Sequence, residues 1–118
     1  MKVLFVEDEP AICRIASRMI GRKHELSIAN TLAEARAHVG GSSFHLALVD
    51  NNLPDGMGTD FLGELADRAP STLRVIMSGD HRSDENVGVF QRALNKPFGL
   101  VELRDILGWA LERHGLEA

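Results

Sequence analysis

The stretch that decides the fold is Leu46-Ala47-Leu48-Val49-Asp50-Asn51-Asn52-Leu53-Pro54-Asp55-Gly56-Met57-Gly58. Its leading apolar residues predict a strand that is buried on both faces, and Asp50 stands where that strand must end. Pro54 lacks an amide hydrogen, and Gly56 and Gly58 permit positive φ, so the residues after Asp50 predict a shaped turn. An acid at the carboxyl end of a buried parallel strand lies where open α/β sheets bind their ligands.

Strands and helices are predicted to alternate along the whole chain. The predicted strands cover 3–6, 26–29, 46–50, 73–77 and a brief segment within 94–98. The predicted helices cover 10–20, 31–39, 60–67, 83–90 (weakly, because Gly88 lies inside it) and 100–114. Several strands are too apolar to be half-exposed, so we expect an α/β protein with a doubly wound five-stranded parallel sheet and right-handed crossovers.

The composition is that of one globular domain. A chain of 118 residues can bury a sufficient core without disulfides. Its net charge of -4 argues against direct nucleic-acid binding and against an anionic membrane surface as the main partner. We find no signal peptide or membrane-length apolar run and expect a cytoplasmic protein. Cys13 is the single cysteine, which excludes a disulfide framework, and we interpret it as an inert core residue.

Polar residues follow four of the predicted strands. Because the carboxyl ends of parallel strands share one edge, we expect one cleft to contain Glu7, Asp8, Asp50, Ser78 and Lys96. At an effective dielectric constant of about 20, two carboxylates ~4 Å apart repel by about 4 kcal/mol, so a cation must occupy the cleft. Oxygen ligands without His or Cys favour Mg²⁺. Lys96 and Ser78 suit phosphate oxygens, and Asp50 suits a nucleophile in phosphoryl transfer.

These residues together resemble the receiver domains of bacterial two-component response regulators. The resemblance covers essentially the whole chain. It rests on the following motifs, in this order: Glu7-Asp8 after the first strand, Asp50 with Leu53-Pro54 and Gly58 after the third, Ser78 after the fourth, and Lys96-Pro97-Phe98 after the fifth. Each motif is weak alone, but their order on the predicted elements is specific.

The resemblance implies a flavodoxin-like (βα)5 receiver fold and a phosphoacceptor role for Asp50. The phosphoryl donor would be a histidine kinase or a phosphotransfer protein. Asp8, Asp50 and the main-chain carbonyl of Asn52 would bind Mg²⁺, with Glu7 acting mainly through water. The domain would assist its own phosphorylation and dephosphorylation, and it would not be an enzyme that turns over a separate substrate.

The resemblance also implies how the domain would signal. Ser78 and Lys96 would contact the phosphoryl oxygens, and the Lys96-Pro97 bond would be cis. Phosphorylation would change the affinity for a downstream protein or an output domain. We expect residues 1–118 to be a receiver domain without an output domain, and a homodimer is compatible with the sequence.

One region departs from the usual pattern of the family. Ser78 and Lys96 are 18 positions apart, which is fewer than is common, and Ala93 stands where an aromatic residue or His is usual. One hypothesis is that Phe90 partly substitutes for the missing ring. Asn52 and Asp80 are at positions where family members tune the access of hydrolytic water.

Two functions other than a phosphoacceptor are to be compared with the sequence. A receiver-like interaction module that works independently of phosphorylation is favoured by Ala93 and the shortened segment, and the intact acidic site opposes it. A flavodoxin-like enzyme or a phosphatase with an Asp nucleophile is disfavoured. The first loop lacks a glycine-rich phosphate cradle, and Asn52 stands where a second carboxylate would act as general acid.

Overall fold

A five-stranded parallel sheet organises the computed structural model, which describes residues 1–79 and 88–117. Its strands are β1 (Lys2–Val6), β2 (Glu25–Ala29), β3 (Leu46–Asp50), β6 (Leu73–Ser78) and β7 (Arg92–Asn95). The short strands β4 (Asn52–Leu53) and β5 (Gly56–Met57) form a separate antiparallel hairpin between β3 and the next helix. The order across the large sheet is β2-β1-β3-β6-β7, with every neighbouring pair parallel. The predicted five-stranded parallel sheet is therefore confirmed.

Helices cover both faces of this sheet. They are α1 (Pro10–Met19), α2 (Leu32–Gly41), α3 (Gly58–Arg68) and α4 (Leu100–Arg113). One hydrophobic core lies between the sheet and α1 with α4, and a second lies between the sheet and α2 with α3. Successive residues of a strand point to opposite faces, so Leu48 enters the first core and Val49 the second. This is the doubly wound arrangement that the apolar strands predicted.

Local signals in the sequence explain where two of the helices begin. Pro10 is the first residue of α1, where its missing N–H is not needed. The Thr31 hydroxyl accepts a hydrogen bond from the Glu34 N–H at 3.1 Å, which caps α2 as predicted. The Glu34 carboxylate accepts from the Asn30 N–H at 3.3 Å.

One difference from the predicted boundaries concerns the start of α3, which begins at Gly58, two residues before the expected start. The Gly58 N–H donates to the Asn51 carbonyl at 2.9 Å, and a Cβ on Gly58 would collide with the Asp50 carbonyl. Gly56 adopts a φ of 150°, as the turn prediction allowed, whereas Gly58 does not use a positive φ. Gly58 is therefore required for close approach of the backbone.

The other boundaries differ by about one turn or less. Helix α2 extends through Gly41, and β7 begins at Arg92. Most of the predicted helix over 83–90 lies outside the described residues. Across 1–79 and 88–117, the structure contains no helix that combines the length and apolar character needed to cross a bilayer.

Candidate functional site

Three carboxylates meet at the carboxyl edge of the sheet. Glu7 and Asp8 follow β1, Asp50 ends β3, and these two strands are neighbours. One oxygen from each carboxylate can be chosen so that all three lie within 4.8 Å of one another. The chain passes from β1 outward to β2 and then back across β1 to β3, so the cluster lies where the strand order reverses. Three of the residues predicted to share this edge therefore lie together.

Lys96 enters the same cluster from β7. Its Nζ lies 2.6 Å from Glu7 Oε1 and 3.2 Å from Asp50 Oδ1. The main-chain N–H of Lys96 donates to the Ser78 carbonyl at 3.0 Å, which fixes the position from which the Lys96 side chain extends. Burial alone would lower the pKa of Lys96, but the ion pair with Glu7 and the charge of Asp50 raise it above its usual value. The ammonium is thus held in its charged form.

Glu7 is the most deeply placed acid of the cluster, with a fully buried residue surface. Burial raises the pKa of Glu7, Lys96 opposes this, and the charge of Asp50 adds to the rise. Its Oε2 accepts from the N–H groups of Asp8 and Glu9, at 3.1 and 3.3 Å. One ammonium cannot balance three carboxylates, so the cluster favours an additional cation.

The acids of the cluster differ in their exposure to solvent. Asp50 is only 5% exposed, whereas Asp8 is exposed at the mouth. The possible metal ligands in the cluster are carboxylate oxygens, which are the kind of ligand that Mg²⁺ prefers. The residues present therefore fit the predicted hard cation.

Asn52 and Ser78 flank this cluster. Asn52 is exposed in β4, two residues beyond Asp50. Ser78 is half-buried at the end of β6, and the strand register places Asp50 beside Met77, one residue before it. The topology thus brings both residues to the predicted edge, and their contacts with a metal or a phosphoryl group stay predictions.

The segment around β7 contains the remaining features that the sequence predicted for this region. The Lys96-Pro97 bond is cis, as the resemblance implied, and Phe98 packs against the core under α1 and α4. Ala93 is exposed on β7, while Phe90 is half-buried against the core under α2 and α3. Asp80, which was predicted to tune water access, lies outside the described residues.

Polar contacts made by three side chains near the site were not predicted. Asp55 accepts from the Leu32 and Ala33 N–H groups at 2.8 and 3.0 Å, which lowers its pKa and ties the β4–β5 hairpin to α2. Asn30 and Cys13 both donate to the Glu7 carbonyl. Cys13 is half-buried and not a core residue, because the first turns of α1 lie over the end of β1.

The fold and the site together define a class of α/β domains with an acidic cation site at the switch point of a parallel sheet. The response regulator receiver domain family matches residues 3–108. The chain belongs to this family, and the sequence resemblance is confirmed.

Curated relatives include full-length response regulators. The response regulator protein PilR of Pseudomonas aeruginosa is 31% identical over 122 residues, which cover 99% of this chain and 27% of PilR. The KDP operon transcriptional regulatory protein KdpE of Escherichia coli K12 is 33% identical over 116 residues, covering 95% of this chain and 52% of KdpE. The chain thus spans between about a quarter and a half of these relatives.

Solved receiver structures have the same fold. A CheY-like receiver domain protein from Methanospirillum hungatei has a TM-score of 0.86 at 25% identity, covering 97% of this chain and 96% of that one. The response regulator TrrA of Thermotoga maritima, solved in complex with Mg²⁺-BeF, has a TM-score of 0.84 at 21% identity and covers 93% of this chain and 98% of its own. The similarity to TrrA supports the assignment of the fold.

Proposed function

We propose that this chain is a phosphoacceptor domain of a bacterial two-component system, phosphorylated on Asp50 in a Mg²⁺-dependent reaction. The observation that carries the proposal is the meeting of the Glu7, Asp8 and Asp50 carboxylates with the Lys96 ammonium at one sheet edge. Asp50 is only 5% exposed and lies beside another acid and a paired lysine. Burying a charged carboxylate costs folding free energy, so its presence favours a functional role over a structural one.

Asp50 is the nucleophile in this proposal. A carboxylate oxygen of Asp50 bonds to phosphorus, the bond from phosphorus to the nitrogen of a donor phosphohistidine breaks, and the nitrogen keeps the electron pair and takes up a proton. Asp8, Asp50 and the main-chain carbonyl of Asn52 would hold Mg²⁺, with Glu7 acting through water. The bound ion supplies positive charge that offsets the negative charge of the transferring group and of the acids.

Lys96 and Ser78 bind the product in this proposal. Lys96 Nζ lies 3.2 Å from Asp50 Oδ1, within reach of a phosphoryl oxygen added to Asp50. Ser78 would donate its hydroxyl to another phosphoryl oxygen from the end of the neighbouring strand β6. Because Ser78 and Lys96 are joined through main chain, their movement toward the phosphoryl group would change the surface around β6 and β7.

The proposal extends to partners and location. The phosphoryl donor is a histidine kinase or a phosphotransfer protein, and a downstream protein or attached domain receives the signal. Residues 1–118 form the receiver, act in the cytoplasm, and turn over no separate substrate. The Thermotoga maritima relative was solved in complex with Mg²⁺-BeF, which is consistent with a cation site in a domain of this fold.

The proposal is tested by intact-mass spectrometry after incubation with acetyl phosphate. We expect a single phosphoryl adduct on the wild type that requires Mg²⁺ and is absent from Asp50→Asn. Circular dichroism verifies that both proteins are folded. A folded wild type that binds Mg²⁺ and forms no adduct would overturn the proposal.

A phosphorylation-independent interaction module is the second candidate, favoured by the exposed Ala93 on β7. A small side chain there leaves no ring to transmit a movement of Ser78. In this case a partner would bind wild type and Asp50→Asn equally, with or without acetyl phosphate. The phosphoacceptor proposal expects the affinity to change only for the phosphorylated wild type.

A further inference from the structure

Two side-chain donors converge on one main-chain oxygen beside the acidic cluster. The Asn30 Nδ2–H donates to the Glu7 carbonyl at 2.9 Å, and the Cys13 thiol donates to the same oxygen at 3.3 Å. Asn30 directly follows β2, whereas Cys13 lies in α1. The Asn30 amide also lies 3.8 Å from the Cys13 sulfur, so the three groups contact one another.

The other side of the same peptide group is held as well. The Asp8 N–H donates to Glu7 Oε2 at 3.1 Å, and Lys96 fixes that carboxylate through Oε1 at 2.6 Å. The Glu7–Asp8 peptide group is planar, so hydrogen bonds to its oxygen and from its N–H fix its orientation. That orientation sets the position of the Asp8 Cα atom, to which the side chain is attached. The direction of the Asp8 side chain therefore depends on these contacts.

Asp8 has little else to hold it in place. Its carboxylate is exposed and makes no hydrogen bond or ion pair within the described residues, yet it has an oxygen within 4.8 Å of Glu7 and Asp50 oxygens. Like charges at this distance favour a side chain that turns away into water. The backbone must therefore keep Asp8 near the other acids.

We propose that Asn30 and Cys13 are positioning residues of the cation site. They hold the Glu7 carbonyl, and through it they keep the Asp8 carboxylate beside Glu7 and Asp50 in a geometry ready for Mg²⁺. This inference rests on the proposed function, because it assigns Asp8 to the metal. Residues that orient metal ligands typically contribute about 10- to 100-fold to metal affinity.

The two donors are not equal. An amide N–H is a stronger donor than a thiol, and the Asn30 contact is the shorter one. We therefore expect Asn30 to contribute the larger part of the effect. A serine in place of Cys13 would keep a donor on α1, whereas an alanine would not.

The test is calorimetric titration of the full chain with Mg²⁺ alone. We expect Asn30→Ala to raise the Kd roughly tenfold, Cys13→Ala to raise it less, and the double variant to exceed either single change. Cys13→Ser should restore a Kd close to that of the wild type. If Asn30→Ala fails to fold, Asn30→Ser replaces it, because its shorter side chain also gives up the contact with Glu7.

The matched control is Thr31→Ala, one residue further along. Thr31 caps α2 by accepting from the Glu34 N–H at 3.1 Å, and within the described chain its side chain makes no hydrogen bond with Glu7. Thr31→Ala should lower the Tm and leave the Mg²⁺ Kd unchanged, which separates loss of positioning from loss of stability.

The possible failures are distinguishable. A wild type that binds Mg²⁺ and an Asn30→Ala variant with a Kd within about twofold of it would overturn the positioning role alone, since a tenfold loss is expected. A folded wild type that binds no Mg²⁺ would overturn both this inference and the proposed function.

Discussion

At the scale of single residues, Asp8 is predicted to oppose stability. Its exposed carboxylate adds to the repulsion between Glu7 and Asp50, and within the described chain no cationic side chain pairs with it. We expect Asp8→Asn to raise the free energy of unfolding by roughly 0.5–1 kcal/mol without Mg²⁺, because Asp8 itself is exposed and water screens its repulsion with the two buried acids to about that amount. Thermal unfolding should show a higher Tm that Mg²⁺ no longer raises further.

Glu9→Gln is the control for Asp8→Asn. The Glu9 side chain is 64% exposed and lies 4.0 Å from Lys96, outside the cluster of three carboxylates. Its substitution should change the free energy of unfolding by less than about 0.5 kcal/mol and leave the Mg²⁺-dependent increase in Tm intact. An Asp8→Asn variant less stable than wild type in Mg²⁺-free buffer would contradict the prediction.

At the scale of elements, the first turn of α3 depends on a glycine. A Cβ on Gly58 would overlap the Asp50 carbonyl and press on the Val49 side chain, both of which belong to the buried strand β3. Relieving this overlap must move either α3 or the strand that aims Asp50. We expect Gly58→Ala to lower the free energy of unfolding by about 1–3 kcal/mol in urea titrations.

The same helix provides the matched control. A Cβ on Gly63 would meet no atom within 4 Å, and Gly63 lies inside α3. Gly63→Ala should therefore raise the free energy of unfolding by about 0.5–1 kcal/mol, because alanine costs less backbone entropy in a helix. Similar destabilisation by both substitutions would mean that the close approach at Gly58 is not the cause.

Elements were predictable from the sequence because their signals are local. The first four residues of β3 are apolar without interruption, as burial on both faces requires, and Pro10 and Thr31 mark helix starts. The β4–β5 hairpin was predicted only as a turn, since two-residue strands leave no periodic pattern. The cap that Asp55 places on α2 joins residues 23 positions apart and has no sequence signal of its own.

At the scale of the whole molecule, the sheet order turns distant residues into one site. Glu7, Asp50 and Lys96 follow three different strands, and parallel pairing alone predicts that they share an edge. That reasoning gives the acidic cleft, but it cannot give the contacts of Asn30 and Cys13 with the Glu7 carbonyl. Those depend on how α1 and the end of β2 pack over β1, which spacing does not encode.

The opposite edge of the sheet contains histidines that join the two ends of the chain. His45 Nδ1 accepts from the Lys2 N–H at 2.9 Å, so this nitrogen carries no proton. His114, which directly follows α4, lies with Nε2 2.8 Å from the His45 carbonyl, and the two rings meet edge to face with their centroids 5.0 Å apart. Burial, the charge of His114 and the amino terminus lower the pKa of His45. Burial and the amino terminus also lower that of His24.

These shifts predict a loss of stability in mild acid. A histidine with a lowered pKa in the folded state binds more protons when unfolded, so stability falls as pH drops below the unfolded value of about 6.5. Urea unfolding should show this decline, and His45→Gln should reduce its slope, because glutamine does not titrate and its carbonyl can still accept from Lys2. Mg²⁺ affinity at neutral pH should not change, since the acidic cluster lies at the other edge. An unaltered slope in His45→Gln would show that protonation of this ring does not weaken the fold.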